Sequence, residues 1–207
     1  MIWATFGHNG VKSILEKQIG RGHFAHAYLF SGASSLGKKT LALEFAKKIL
    51  APNKYNKNTE SFAEALEKAN KIENLQNHPD FHFLDIEEEI TMPIILEFIS
   101  RISFKPFLAT KKVAIINNAE NLNLQSSNAL LKTLGEASES TVIILIANSG
   151  KVLPTIVSRC QKINFNNFTV EGLEKFALEE NFKISKKIIA LSFGRPGRLK
   201  KLVENKV

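Results

Sequence analysis

The chain contains a single cysteine, Cys160, among its 207 residues. One thiol can form neither an internal disulfide nor a zinc site built from several thiolates, and this usage suits a reducing compartment. The sequence also lacks an apolar stretch of the roughly 20 residues that span a bilayer. Its first residues do not combine a basic flank with an apolar run, as secretory signals do. We therefore expect a cytoplasmic protein that makes no membrane contact.

Acidic residues are fewer than basic ones, 20 against 28, which leaves a formal net charge of +8. This balance permits nucleic acid as a partner, but the lysines occur as scattered pairs that are typical of solvated faces. The pairs lie at 47–48, 111–112, 186–187 and 200–201. With 44% hydrophobic residues, the composition indicates a globular chain with one large domain and room for a small one.

A glycine-rich segment matches the phosphate loop of nucleotide-binding proteins except at one position. Four residues separate Gly32 from Gly37, and Lys38 follows. At this spacing backbone N–H groups turn toward phosphate, and the lysine reaches the outer phosphates. The next residue should be a serine or threonine that ligates magnesium, but it is Lys39. Thr40 comes one residue later, where a helical step rotates the side chain by about 100° away from the metal.

The surroundings of this loop support the same interpretation. An apolar run at 26–31 precedes it, and a pattern with helical periodicity follows at 38–50. This order of strand, glycine loop and helix makes an ordinary glycine turn with solvated lysines the weaker interpretation.

The acidic strand that accompanies such loops has amides in place of its carboxylates. Four apolar residues, 113–116, precede Asn117 and Asn118, where a magnesium-binding Asp and a catalytic Glu are expected. An amide can orient water, but it brings no negative charge to magnesium and accepts no proton at neutral pH. The two asparagines are equally compatible with a turn that ends a buried strand. Both interpretations predict a chain that does not hydrolyse nucleotide.

Alternating strand and helix patterns predict an α/β fold with a mainly parallel sheet. The predicted strands are 26–31, 81–86, 113–116, 141–147 and 162–165. The predicted helices are 8–20, 38–50, 61–72, 92–103, 124–134 and 156–159, followed by three helices in 170–207. The last three helices form a small second domain.

Four stretches resemble, in order and over nearly the whole chain, the delta-prime subunits of the bacterial DNA polymerase III clamp loader. These subunits are AAA+ proteins related to replication factor C. The stretches are His-Ala-Tyr-Leu-Phe (26–30) with the loop after it, Ser-Asn-Ala-Leu-Leu-Lys-Thr-Leu (127–134), Leu-Pro-Thr-Ile-Val-Ser-Arg-Cys (153–160) and Gly-Arg-Pro-Gly-Arg (194–198). The resemblance implies an AAA+ P-loop domain with a three-layer parallel sheet at 1–166 and a three-helix lid domain at 167–207. The family's collar domain is missing, so the chain is either a short natural form or truncated.

The resemblance also implies roles for individual residues. Arg159 matches the arginine finger that clamp-loader subunits point at a neighbour's ATP, and the alternative is an arginine at a helix end. Asn148 matches the first sensor of bound nucleotide and Arg198 the second, with Arg195 a poorer candidate. Either sensor alternatively serves as a strut between domains. Together with the phosphate-type loop, they would form a degenerate site that binds ATP or phosphate weakly and requires no cofactor.

The function implied is that of a non-hydrolysing clamp-loader subunit. Its partners would be the gamma/tau and delta subunits, the sliding clamp and primer–template DNA. Many related subunits carry a four-cysteine zinc module, whereas 53–77 contains no cysteine, so we expect no zinc. His78 and His82 flank Asp80 but lack further ligands, and we expect no metal there.

Two other functions stay open at this stage. An autonomous P-loop ATPase would use Thr40 and Glu120 in shifted roles. A nucleic-acid binder would rely on the positive charge of the chain, and its affinity would fall steeply with salt.

Overall fold

The computed structural model describes residues 3–51, 75–135, 140–148 and 151–205, and a five-stranded sheet lies at its centre. The strands are β1 (Ala27–Ser31), β2 (Phe81–Asp85), β3 (Lys112–Asn117), β4 (Thr141–Ala147) and β5 (Gln161–Asn164). Their order across the sheet is β2-β3-β4-β1-β5, and every neighbouring pair is parallel. The predicted parallel α/β fold is confirmed, and all five strands end at the same edge of the sheet.

Eight α-helices lie within the described ranges. They are α1 (Asn9–Arg21), α2 (Lys38–Leu50), α3 (Met92–Ile102), α4 (Leu124–Gly135), α5 (Pro154–Val157), α6 (Val170–Glu179), α7 (Lys186–Ser192) and α8 (Pro196–Glu204). Within these same ranges, no helix has both the length and the apolar character needed to cross a bilayer. The helix predicted at 61–72 lies outside the described residues.

Successive side chains of each strand point to opposite faces of the sheet and so contribute to two separate cores. One core, between the sheet and helices α1 and α2, contains Tyr28, Phe30 and Phe45. The other, between the sheet and helices α3, α4 and α5, contains Leu29 and Leu145. All seven residues of β4 are buried, as its unbroken apolar sequence predicts for a strand covered on both faces. The three-layer arrangement is therefore confirmed.

The three C-terminal helices share a core of their own. Its buried members are Leu173, Phe176, Ile189 and Leu199. Phe6, from the N-terminal part of the chain, packs against this core, with its ring centre 5.2 Å from that of Phe176. The three helices predicted in 170–207 are present, whereas the division of the chain at 166/167 stays a prediction.

The boundaries of α5 and β3 are among those that differ from the sequence expectation. The helix predicted at 156–159 runs from Pro154 to Val157, because proline has the backbone angle and the missing N–H that suit a first helical turn. Strand β3 begins one residue early, at Lys112. The side chain of this lysine is buried, and its ammonium donates to the carbonyl oxygen of Arg101 at 3.1 Å. Strand β3 therefore includes a buried lysine directly before its apolar residues, which begin at position 113.

A buried carboxylate holds the loop between α3 and β3. Asp80 is 1% exposed, and its oxygens accept the backbone N–H groups of Phe107, Leu108 and Ala109 at 2.5 to 2.7 Å. Burial raises the pKa of this carboxyl, but the three N–H groups, helped by His78, lower it more, so the pKa lies below its ordinary value. The side chains of Phe107 and Leu108 are exposed. Hydrogen bonds to Asp80, rather than packing of these side chains, therefore fix the loop.

Replacing Asp80 with asparagine removes the charge and one acceptor oxygen while nearly preserving the shape. Because hydrogen bonds to a charged group contribute about 1.5 to 3 kcal/mol, we expect the free energy of unfolding to fall by about 2 kcal/mol at neutral pH. Urea unfolding followed by circular dichroism measures this change. The difference in the free energy of unfolding between the two proteins should shrink once the pH falls below the ordinary carboxyl pKa of 3.8 and through the lowered pKa of Asp80. Equal stability of both proteins at neutral pH would contradict this role of Asp80.

Candidate functional site

The phosphate-type loop follows β1, which lies between β4 and β5, at the sheet edge where open parallel sheets bind ligands. Gly37 ends the loop directly before α2 with a φ of 88°, a left-handed conformation that favours glycine. Gly32 begins the loop so close to the chain beyond β5 that a Cβ atom would lie 2.4 Å from the carbonyl oxygen of Phe165. Backbone geometry therefore requires glycine at both positions of the motif.

Lys38 turns back into this loop. Its side chain is 3% exposed, and Nζ donates to the carbonyl oxygens of Gly32 and Ala33 at 2.8 and 2.6 Å. Burial lowers the pKa of the lysine to about 8, and the carboxylate of Glu120 partly offsets this effect. A phosphate ligand would have to exchange the two carbonyl contacts for its own oxygens.

An ion pair lies where a phosphate loop normally holds magnesium. The ammonium of Lys39 pairs with the carboxylate of Asp85 at the end of β2, and it lies 5.2 Å from the ring centre of Phe83. Asn117, opposite Asp85 in the sheet, donates from Nδ2 to Oδ1 of that carboxylate at 2.7 Å. Magnesium requires oxygen ligands with negative charge in octahedral geometry. A lysine cation beside a neutral amide does not fit this ion.

Residues that follow β3 and β4 hold each other at the same edge. Asn148 donates from Nδ2 to Oδ1 of Asn118 at 2.9 Å, and its backbone N–H donates to Oε1 of Glu120 at 3.0 Å. Asn118 has a left-handed φ of 54°, and its own amide donates to the carbonyl oxygen of Ile86 at 3.1 Å. The second oxygen of Glu120 is buried and accepts no hydrogen bond within the described part of the chain. The side-chain amide of Asn148 is therefore already engaged.

Helix α8 lies directly against the phosphate-type loop. The backbone N–H of Gly197 donates to the carbonyl oxygen of Ser35 at 3.0 Å, and a Cβ atom at Gly197 would lie 3.1 Å from that oxygen. A larger residue at position 197 would push the helix and the loop apart. The guanidinium of Arg198 points elsewhere, 4.9 Å from the ring centre of Phe193. Arg195 lies over the same ring at 5.8 Å.

A cavity of about 610 Å³ remains between the loop and the C-terminal helices. Its described walls include the side chains of Lys38, Lys39, Lys200, Lys201 and Glu180. These residues give the lining four positive charges and one negative charge. The cavity therefore suits an anionic ligand.

Arg159 lies outside the lining of this cavity, in the segment between α5 and β5. Its side chain is exposed, and Nη1 donates to the carbonyl oxygen of Thr155 at 3.0 Å. Its Nε lies 3.9 Å from the place that a Cβ atom at Gly135 would take, at the end of α4. The next residue, Cys160, is half-buried, and burial raises the pKa of its thiol to about 11, so the thiol is unreactive at neutral pH.

The structure brings together four of the six site residues predicted from the sequence. Gly32, Gly37, Lys38 and Asn148 form the loop or line its cavity, whereas Arg159 and Arg198 lie away from it. Sequence reasoning missed Asp85 and the two lysines of α8. The sequence pattern of these two lysines is typical of a solvated face, and only the packing of α8 against the loop brings them to the cavity.

No group of three or more His, Cys, Asp or Glu residues that could hold a metal ion occurs in 3–51, 75–135, 140–148 or 151–205. His78 instead accepts the backbone N–H of Asp80 at Nδ1, at 3.1 Å. The expectation that the chain binds no zinc stays a prediction, because most of 53–77 lies outside the described residues.

Comparison with known proteins identifies relatives that match most of the chain. The family described as "DNA polymerase III, delta subunit" matches residues 7–169. The DNA polymerase III subunit delta' of Pseudomonas aeruginosa is 31% identical over 185 residues, which are 86% of this chain and 55% of that protein. The DNA polymerase III subunit gamma/tau of Mycoplasma genitalium is 32% identical over 199 residues, which are 92% of this chain and 33% of that protein.

A solved structure shows the same fold. The DNA polymerase III gamma subunit-related protein of Thermotoga maritima superposes with a TM-score of 0.62 at 22% identity, over 95% of this chain and 59% of that one. At this identity the likeness concerns the fold alone. The chain spans about half the length of the delta' relatives that it matches.

The burial of Lys38 predicts how stability depends on pH. Between pH 8 and 10.5 the folded lysine is largely neutral while the unfolded one is still protonated, so raising the pH stabilises the folded wild type. Methionine at this position has no proton to lose. We expect the stability of the wild type relative to Lys38→Met to rise by about 2 kcal/mol over this range, after allowance for solvent screening. Urea unfolding of both proteins at several pH values measures the difference, and a flat difference would contradict a buried ammonium.

Proposed function

Since this chain belongs to the family of DNA polymerase III delta-prime subunits and has the AAA+ fold, we propose that it works as a clamp-loader subunit that hydrolyses no ATP. Its partners in this role are the gamma/tau and delta subunits, the sliding clamp and primer–template DNA. Its contribution to hydrolysis is Arg159, which reaches the ATP of a neighbouring subunit. The chain binds nucleotide or phosphate weakly at its own cavity and needs no cofactor.

The ion pair between Lys39 and Asp85 supports the proposal that the chain hydrolyses no ATP. In an active site, a hydroxyl at the start of the helix after the loop and a carboxylate at a strand end hold magnesium, which neutralises the charge that develops during phosphoryl transfer. Here the hydroxyl is replaced by an ammonium, and Asn117 supplies a neutral amide that is bound to Asp85. The chain therefore lacks the groups that would assemble a hydrolytic site around its own phosphate-type loop.

The placement of Arg159 supports the proposal that this residue acts on the ATP of a neighbouring subunit. Its guanidinium is exposed, lies outside the chain's own cavity, and is held by one described hydrogen bond to a backbone oxygen of the preceding turn. A guanidinium stays charged at every physiological pH and can bind phosphate oxygens through two parallel hydrogen bonds. An arginine presented in this way can stabilise charge on a nucleotide that another chain holds. It needs no hydrolytic site behind it.

The sensor residues Asn148 and Arg198 make contacts within the chain that favour a structural role over nucleotide binding. Gly197 binds Ser35 through the backbone, Asn148 is engaged with Asn118, and Arg198 lies over Phe193. Of these contacts, that of Gly197 with Ser35 joins the C-terminal helices to the loop, whereas Asn148 and Arg198 each contact a residue of their own part of the chain. In this role each sensor residue braces its own part of the chain.

Autonomous ATP hydrolysis remains the rival function, and Glu120 is the observation in its favour. One oxygen of this carboxylate is buried without a described partner, and its charge influences the pKa of Lys38. Its other oxygen is bound by the backbone of Asn148, which leaves the group poorly placed to activate water. Magnesium-dependent hydrolysis by the isolated chain, abolished by Lys38→Ala, would favour the rival.

Replacing Arg159 with alanine in the reconstituted clamp loader tests the proposal. We expect turnover at the neighbouring ATP site to fall by about 10³- to 10⁵-fold, the range seen for arginine fingers supplied in trans, while the subunits still assemble. Steady-state ATPase activity with primed DNA measures turnover, and sedimentation measures assembly. Arg159→Lys should recover only a small part of the activity, because a lysine cannot make the paired hydrogen bonds.

Arg101→Ala is the matched control. Arg101 is also exposed but pairs with Glu97 on the surface of α3, so its loss should leave ATP turnover unchanged. If the Arg159→Ala loader hydrolyses ATP as fast as the wild type while Arg101→Ala behaves normally, Arg159 is not a finger.

A further inference from the structure

The most unusual group in the cavity is the ammonium of Lys39. It is fixed at the sheet edge by Asp85 and lies over the ring of Phe83, and its side chain is 47% exposed. It stands one residue after Lys38, where a magnesium-dependent loop needs a hydroxyl. The side chain of Lys39 therefore places a positive charge where other phosphate loops bind Mg²⁺ from solution.

We propose that Lys39 takes the place of Mg²⁺ and that the cavity binds a metal-free polyphosphate chain, either of a nucleotide or of an inorganic polyphosphate. The inference rests on the proposed function, because it concerns the same non-hydrolysing cavity. It adds a ligand class and a mode of binding that do not depend on what Arg159 does.

The hydrogen bonds at this edge occupy both oxygens of the carboxylate that lies nearest to Lys39. Both oxygens of the Asp85 carboxylate are taken, Oδ2 by the ammonium of Lys39 and Oδ1 by the amide of Asn117. Burial raises the pKa of Asp85, but these two donors lower it more, so the carboxylate stays ionised and paired. A divalent cation approaching Asp85 would have to displace the ammonium and would be repelled by it.

The charges of the lining favour a ligand that carries its full negative charge. Four lysines and one glutamate line the described walls, and Glu180 pairs with Lys200 at 3.3 Å. A bound Mg²⁺ would cancel two negative charges of a polyphosphate and so reduce its attraction to these lysines. The first turn of α2, which follows the loop, adds its backbone N–H groups and the positive end of its dipole.

Binding of ATP, ADP and inorganic tripolyphosphate to the isolated chain, measured by calorimetry in excess EDTA and in excess Mg²⁺, tests the proposal. We expect the wild type to bind at least about threefold more tightly in EDTA, because the complex with Mg²⁺ presents less charge. Equal affinity for ATP and tripolyphosphate would identify the phosphates as the whole ligand, and tighter binding of ATP would add a contribution of the nucleoside. Both outcomes support a metal-free polyphosphate site.

Two variants connect the metal dependence to Lys39. Lys39→Thr should weaken binding in EDTA by about tenfold, the effect of losing one charge-assisted hydrogen bond, and should abolish the preference for EDTA. Lys39→Thr combined with Asn117→Asp restores the hydroxyl and the carboxylate of a magnesium site and should reverse the preference. Lys17→Thr, an exposed change on α1 away from the cavity, should behave as the wild type.

Three results would overturn the inference: tighter binding of the wild type in Mg²⁺, an unchanged preference in Lys39→Thr, or no binding of any of the three ligands. Should a variant fail to fold by circular dichroism, the comparison of EDTA and Mg²⁺ on the wild type still decides. None of these results affects the role proposed for Arg159, which is measured on the assembled loader. The two proposals can therefore fail separately.

Discussion

A parallel sheet covered on both faces is the constraint on which the rest of this molecule depends. Because helices bury both faces, polar residues of the strands can lie only at the sheet's edges, and parallel strands place all their carboxyl ends at one edge. Asp85, Asn117 and Asn148 meet the phosphate-type loop there. What this edge can bind is then decided by a few side chains rather than by the fold.

In the function that we propose, the pair of Lys39 and Asp85 distinguishes this edge from one that hydrolyses nucleotide. The loop keeps the two glycines and the buried lysine that phosphate-binding loops share. The ammonium and the amide of Asn117 remove the geometry that holds magnesium. In the proposed role, such a chain takes part in ATP hydrolysis through Arg159, which lies outside the lining of the cavity. A chain that binds no magnesium at its own loop can therefore still serve a subunit assembly through an exposed arginine.

The sequence predicted the features that depend on neighbouring residues. The loop spacing, the start of α2 and the buried strand β4 follow from local patterns, and the structure has all three. The pairing of Lys39 with Asp85 depends on β2 lying beside β3, and the contact of Gly197 with Ser35 depends on how α8 packs. Local periodicity encodes neither arrangement. Likewise, the sequence around Asp80 indicates only that histidines flank it. Its three hydrogen bonds join it to a loop that is distant in sequence.

The central claim is that an internal ion pair has replaced the metal at this phosphate-type loop. Electron paramagnetic resonance with Mn²⁺, a paramagnetic substitute for Mg²⁺, tests it most directly when the isolated chain is titrated in the presence of ATP. We expect the protein to supply no ligand to Mn²⁺, so that any Mn²⁺ bound with ATP keeps the coordination that it has with ATP alone. A stoichiometric Mn²⁺ whose spectrum shows a ligand from the protein would contradict the claim.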